Sequence, residues 1–130
     1  MIYLDTSVAL ACVLAEDRVP PDGLWGEPLI ASRLIEYELW TRINARGLAR
    51  THGEPIRQLL LRLALIELVA PVLVRAIEPF PSPVRTLDAL HLASIDFLRD
   101  HGQEVRLASY DERQIAAARA MGIHVLELSS

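Results

Sequence analysis

The sequence predicts a parallel-sheet α/β/α sandwich of about five short strands covered by helices. Three observations carry that expectation. Short apolar runs rich in strand formers alternate with helix-length stretches. Good helix-capping residues follow several of the runs directly. No repeat, low-complexity tract or charge block divides the 130 residues, so residues 1–130 read as one domain.

Element by element, Ile2-Tyr3-Leu4 is a short strand that stops at Asp5-Thr6-Ser7, and SVALACVLAE continues as a helix. The loop RVPPDGLWGEP carries Pro20-Pro21 and two glycines. Leu29-Ile30-Ala31 is the second strand, and Ser32 caps a helix running to about Arg46, where Gly47 stops it. Thr51 or His52 opens the leucine-rich helix through QLLLRLAL. Ile66 to Val69 is a candidate third strand, and Val72 to Ile77 a short helix or turn before Pro79, Pro81 and Pro83. Thr86-Leu87-Asp88 opens a long helix to about His101, ended by Gly102. Val105 to Ala108 is the fourth strand, Asp111 caps the last helix, and His124 to Leu128 is the final strand.

Composition excludes several chemistries. All 13 basic residues are arginine, and against 17 acidic residues they leave a net charge of −4. Without lysine there is no P-loop and no Schiff-base site. A mildly acidic chain does not coat nucleic acid non-specifically. The single cysteine, Cys12, permits no disulfide framework and no cysteine-ligated zinc site within the chain, and in its apolar run it reads as a buried small hydrophobe. The start MIYLD lacks a basic n-region, and the apolar stretch Leu63 to Val74 is broken by Glu67 and Pro71. That is shorter than the ~20 residues a spanning helix needs, so a soluble cytoplasmic protein is expected.

In parallel α/β folds, ligands sit beyond the C-terminal ends of the strands. The residues expected there are acidic: Asp5 after the first strand, Asp111 after the fourth, Asp88 in the first turn of the long helix, and a glutamate after the second strand. Gathered carboxylates raise one another's pKa unless a cation offsets them, and hard oxygen donors of this kind suit Mg²⁺ or Mn²⁺. Each also has a plainer reading. Asp5 and Asp111 could be helix caps, Asp88 could complement a helix N-terminus, and Glu38 could pair with Arg42. Ile35, Leu39 and Ile43 mark the buried stripe of the second helix, with Glu36 on one flank and Glu38 on the other. Helical phase alone does not choose between them. His91, three residues after Asp88, shares its helix face and could meet a phosphate or a metal-bound water, or sit idle at a solvent edge.

With these residues in view, the chain resembles the PIN-domain family. MIYLDTSVALACVL is similar to its opening motif, and SRLIEYELWTR to its second, in which a Ser precedes a Glu by six residues; that match selects Glu38. VRTLDALHLASI, with Asp88 and His91, resembles the third motif of VapC-type toxins. ASYDERQIAAARAMGIHVLEL resembles the fourth, with Ser109 where threonine is common. The resemblance spans the chain, although residues 47 to 84 match only in being helical and variable. It implies a Mg²⁺- or Mn²⁺-dependent endoribonuclease that acts on structured RNA such as tRNA or rRNA and inhibits translation until a cognate VapB-type antitoxin neutralises it. Asp5, Glu38, Asp88 and Asp111 would form the acidic metal site, with Thr6, Ser7, Ser109 and His91 around it.

An acidic site repels RNA, so arginines must supply local attraction. Arg33, Arg42, Arg46 and Arg50 lie along or just past one helix, and Arg85 precedes the third motif. The high apolar fraction, 52%, suggests interfaces: a homodimer, and a groove for an antitoxin helix along Ile56 to Leu65 or the segment to Val74. Two other readings stay open, a catalytically silent protein-binding module and a DNA-directed nuclease.

Overall fold

The structure, a computed structural model, describes residues 1–128. Strand β1 (Ile2–Leu4) is buried along its length and takes the centre of a five-stranded sheet. It pairs in parallel with β2 (Leu29–Ser32) on one side and with β4 (Arg106–Ala108) on the other. Strand β3 (Ala64–Ile66) extends the sheet beyond β2, and β5 (His124–Val125) extends it beyond β4, giving the order β3-β2-β1-β4-β5. Every pairing is parallel. The chain therefore builds one half of the sheet outward from β1 and returns to build the other. A crevice between the two directions opens at the C-terminal end of β1.

The strands alternate their side chains between two apolar layers, as a pleat requires. Ile2, Leu4, Leu29, Ala31 and Ala108 face one layer. It is completed by α1 (Thr6–Val13), α2 (Leu34–Ala45) and α3 (Ala49–Leu61), through Val8, Ile35, Leu39, Ile43 and Ile56. Tyr3, Ile30 and Leu107 face the other layer, formed with α5 (Thr86–Asp100) and α6 (Glu112–Ala120) through Leu92, Ile95, Leu98, Ala117 and Ala118. Helix α4 (Ala70–Ala76) packs on α5. Helices thus cover both faces of the sheet, as the alternation of elements implied. No helix among the described residues is long and apolar enough to cross a membrane.

Several boundaries depart from expectation. Strand β3 begins at Ala64 and ends at Ile66, because its partner β2 ends at Ser32, opposite Ile66. Helix α3 starts at Ala49, earlier than Thr51, since Thr51 and His52 donate their N–H groups back to the Leu48 carbonyl. Pro55 and Gly53 lie inside α3, and the glycine admits Trp40: a Cβ there would sit 3.2 Å from the indole ring. Strand β5 is two residues long and does not reach Leu128. Part of the first loop winds into a 3-10 helix, Asp22–Gly26. Cys12 is exposed and not buried. Helix α1 is apolar almost all round, so its sequence carries no phase; the fold buries Val8, Ala9, Ala11 and Val13 and leaves position 12 outside.

Candidate active site

Asp5 follows β1 directly and is the N-cap of α1. Its backbone N–H donates to the Ala108 carbonyl, which ties the cap to β4. Its Oδ2 accepts from the Ser7 N–H at 3.2 Å, the Ser7 hydroxyl at 2.6 Å and the Ser109 hydroxyl at 2.9 Å. Asp111 is the N-cap of α6, its Oδ1 accepting from the backbones of Arg113 and Gln114. Asp88 lies in the first turn of α5, and its Oδ2 accepts the Arg85 N–H at 3.2 Å. Glu38 stands in the second turn of α2, where Ile35, Leu39 and Ile43 are wholly buried and set the helix phase. Its Oε1 accepts from the Thr6 hydroxyl at 2.9 Å and lies 2.6 Å from His91 Nε2. Glu36 takes the other flank and meets Arg33 at 3.5 Å.

Three of the four carboxylates therefore cap or complement helix N-termini, and all four also line one cleft of about 600 Å³. Each uses one oxygen for the protein: Oδ2 of Asp5 and of Asp88, Oδ1 of Asp111, Oε1 of Glu38. The second oxygen of each accepts no hydrogen bond from the described residues. Among the described residues, no three His, Cys, Asp or Glu side chains stand close enough together to hold one cation. The carboxylates line the cleft, each hydrogen-bonded to its own donors. The donor chemistry nonetheless fits Mg²⁺ or Mn²⁺: hard carboxylate oxygens, one per residue fixed and one per residue open.

The hydroxyls act on the carboxylates. Ser7 and Ser109 hold Asp5, Thr6 holds Glu38, and Ser109 also accepts the Asp111 N–H at 3.0 Å. His91 is not at a solvent edge; it is 2% exposed and its ring is wedged between Tyr3 and Glu38. Of the arginines expected to meet RNA, Arg42 and Arg85 line the cleft. Arg33 does not; its guanidinium is engaged by Glu67 at 2.6 Å and by Glu36. Arg46 and Arg50 are exposed and do not line the cleft. Arg18, which sequence reasoning missed, lines the cleft, donates to the Tyr110 carbonyl and lies over the Tyr110 ring at 4.6 Å. Nothing in its loop sequence marks it, because the contact depends on β4 ending beside that loop. Glu16 joins it at the margin of the cleft.

Burial pushes the Asp5 carboxyl above its ordinary pKa, although Ser7, His91 and Ser109 oppose the rise. Burial lowers the pKa of His91, but the Glu38 hydrogen bond and the charges of Glu38, Asp5 and Asp88 outweigh it and hold it above the usual value. Both groups bind protons more tightly folded than unfolded, so each withdraws stability as pH rises through its folded pKa. The metal-free protein, kept in EDTA, is therefore expected to lose thermal midpoint between about pH 5 and pH 8, a window spanning the reference histidine value of ~6.5. Circular dichroism melts check this; a midpoint that climbs across that range contradicts it.

A family model described as PIN domain matches residues 2–120. Ribonuclease VapC47 of Mycobacterium tuberculosis (strain CDC 1551 / Oshkosh) is 30% identical over 129 residues, covering 94% of this chain and 93% of that protein. Ribonuclease VapC46 of Mycobacterium tuberculosis (strain ATCC 25618 / H37Rv) is 33% identical over 132 residues, covering 96% and 95%. Among solved structures, Mycobacterium tuberculosis VapC20, titled a Sarcin-Ricin loop cleaving toxin, superposes with a TM-score of 0.68 at 22% identity, over 90% of this chain and 95% of that one. A chain of VapBC2 from Rickettsia felis, bound to a DNA fragment from their promoter, reaches a TM-score of 0.73 at 15% identity, over 99% and 100%. The order of motifs, the sheet topology and these matches agree: the chain belongs to the PIN-domain family, among its VapC-type members.

Proposed function

We propose that this chain is a divalent-metal-dependent endoribonuclease and the toxin of a toxin–antitoxin pair. One observation carries the reading: four carboxylates from four separate segments share a cleft, each anchored through one oxygen and open at the other, with Arg18, Arg42 and Arg85 beside them. The ribonuclease names of its relatives support it.

Asp5, Asp88, Glu38 and Asp111 would hold Mg²⁺ or Mn²⁺. A bound ion would supply Lewis acidity toward water and phosphate there. The chain's own groups do the rest. Ser7 and Ser109 keep Asp5 in place, and Thr6 and His91 keep Glu38 in place. Arg42 has no ion-pair partner among the described residues, and Arg85 is exposed and only loosely paired with Asp88, at 3.8 Å, so both can turn to phosphate oxygens. Hydrolysis adds water to phosphorus and breaks the bond to the 3′ oxygen, leaving a 5′-phosphate and a 3′-hydroxyl. It asks nothing of the 2′-hydroxyl.

The substrate is structured RNA, tRNA or ribosomal RNA, and its cleavage in the cytoplasm stops translation. The likeness to a toxin that cleaves the sarcin-ricin loop supports a ribosomal target. The partners are a VapB-type antitoxin, supported by the VapBC2 likeness, and a second copy of the chain. Leu61, Val69, Leu73 and Val74 are exposed in the region from α3 to α4 expected to meet partners, whereas Ile56, Leu59, Leu63 and Val72 are core. Residues 1–130 act as one catalytic unit.

Incubating the purified chain with total RNA and Mg²⁺ or Mn²⁺ is expected to give discrete cuts with 5′-phosphate ends, and EDTA to abolish them. Cleavage that persists in EDTA, or that ends in a 2′,3′-cyclic phosphate, rules the reading out. RNA affinity should fall with salt, and Arg42→Ala should reduce the log–log slope by about 1. Arg33→Ala should leave the slope unchanged, because that guanidinium is already paired. Filter binding between low and moderate salt separates the two variants; equal slopes remove Arg42 from the interface.

A further inference from the structure

A file of hydrogen bonds, buried at the sheet and half-buried at its last link, runs from the sheet to the acidic cleft. The backbone N–H of Ser32, the last residue of β2, donates to the Tyr3 hydroxyl at 3.1 Å. That hydroxyl lies 2.7 Å from His91 Nδ1, and His91 Nε2 lies 2.6 Å from Glu38 Oε1. Tyr3 is wholly buried, on the face of β1 opposite Ile2 and Leu4. Its ring meets the imidazole edge-on, at 5.9 Å between centroids and 78° between planes.

A carboxylate oxygen only accepts, so an ionised Glu38 sets the sense of the file at its far end. As an imidazolium, His91 carries a hydrogen on both nitrogens. As a neutral ring with Tyr3 donating to Nδ1, it carries its hydrogen on Nε2. In both cases Nε2–H points at Glu38, and the Thr6 hydroxyl donates to the same oxygen. Oε1 thus meets two donors on two elements, which leaves the carboxylate little freedom to rotate, while Oε2 has no hydrogen-bond partner among the described residues. Packing alone does not require this arrangement: a leucine at position 91 would fill buried space without bringing a polar ring into it.

We propose that His91 and Tyr3 are positioning residues that hold Glu38 with Oε2 free for the divalent ion. The assignment rests on the metal-dependent nuclease reading above. The physics is that of an outer ligand shell: a donor behind a carboxylate fixes its orientation and tunes its basicity, and loss of such a donor typically costs about 10–100-fold in metal affinity or activity.

The test uses the full chain in four forms: wild type, His91→Leu, His91→Gln and Tyr3→Phe. Mn²⁺ affinity is measured by calorimetry without RNA, and kcat and KM are measured on a cleaved RNA. His91→Leu is expected to weaken Mn²⁺ binding by about tenfold or more and to lower kcat comparably, with KM for RNA within about twofold. His91→Gln, whose amide can still donate to Oε1, should recover most of both. Tyr3→Phe should fall between, since it removes one oxygen and leaves the Glu38 donor present but untethered. A folded His91→Leu protein with Mn²⁺ affinity and kcat within twofold of wild type overturns the proposal. Should His91→Leu fail to fold, Tyr3→Phe decides alone: wild-type affinity and kcat in that variant overturn it too. Wild-type protein that binds Mn²⁺ with the expected ranking but cleaves no RNA removes the nuclease reading and keeps the positioning role. Wild-type protein that binds no Mn²⁺ overturns the positioning role itself.

Discussion

Asp5→Asn is expected to reduce metal-dependent RNA cleavage by at least about a hundredfold while making the metal-free chain more stable. The first effect follows from chemistry. An amide is a weaker, uncharged ligand, and loss of groups merely behind a metal ligand already costs about 10–100-fold. The second follows from burial. Asp5 is 6% exposed and the fold raises its pKa, so its charge is carried at a cost when no cation offsets it. Asparagine keeps the cap, since Asn and Asp are comparable at that position, and its carbonyl can still accept from Ser7 and Ser109. Single-turnover cleavage and thermal melts in EDTA measure the two effects. Activity within tenfold of wild type removes Asp5 from the metal site. A lower melting point in EDTA shows that the carboxylate's hydrogen bonds outweigh its burial. Asp88→Asn should match the loss of cleavage.

Leu39→Ala carries the largest expected stability loss, about 2–5 kcal/mol, the usual range for truncating a fully buried leucine to alanine. Leu39 is wholly buried between Ile35 and Ile43 on the stripe that docks α2 against the sheet. It also adjoins Glu38, so the packing that makes the core sets the direction of the carboxylate. A urea midpoint that falls at unchanged m-value is the expected record. Cleavage by the folded fraction should fall as well, because a helix free to roll on its stripe no longer keeps Glu38 on Thr6 and His91. A loss below about 1 kcal/mol would mean that the site collapses around the deletion.

The fold was legible because its rules are local. Runs such as Ile2-Tyr3-Leu4 and caps such as Asp5 and Asp111 are read within a few residues, and parallel alternation then fixes where the acids must gather. The stripe Ile35, Leu39, Ile43 was read correctly from its 3.6-residue period. What stayed hidden depends on distance in the chain. Tyr3 and His91 meet across 88 residues, and nothing in either segment announces the other. Arg33 and Arg42 look alike on paper; Glu67, arriving just past β3, occupies the first and leaves the second open. Cys12 was misplaced because a helix that is apolar almost all round gives no phase. Glu36 and Glu38 flank the stripe symmetrically, so helical phase alone did not choose between them; the motif match did, and in the fold Thr6 and His91 both meet Glu38.

The central position of β1 also sets when the cleft can exist. Asp5 leaves the ribosome among the first residues made, whereas the serine that holds it comes 104 positions later, after β4 has been laid beside β1. A nascent polypeptide short of that point lacks both the neighbouring strand and Asp111. If the proposed nuclease reading holds, a chain built in this order has no complete site until β4 and Asp111 have been made.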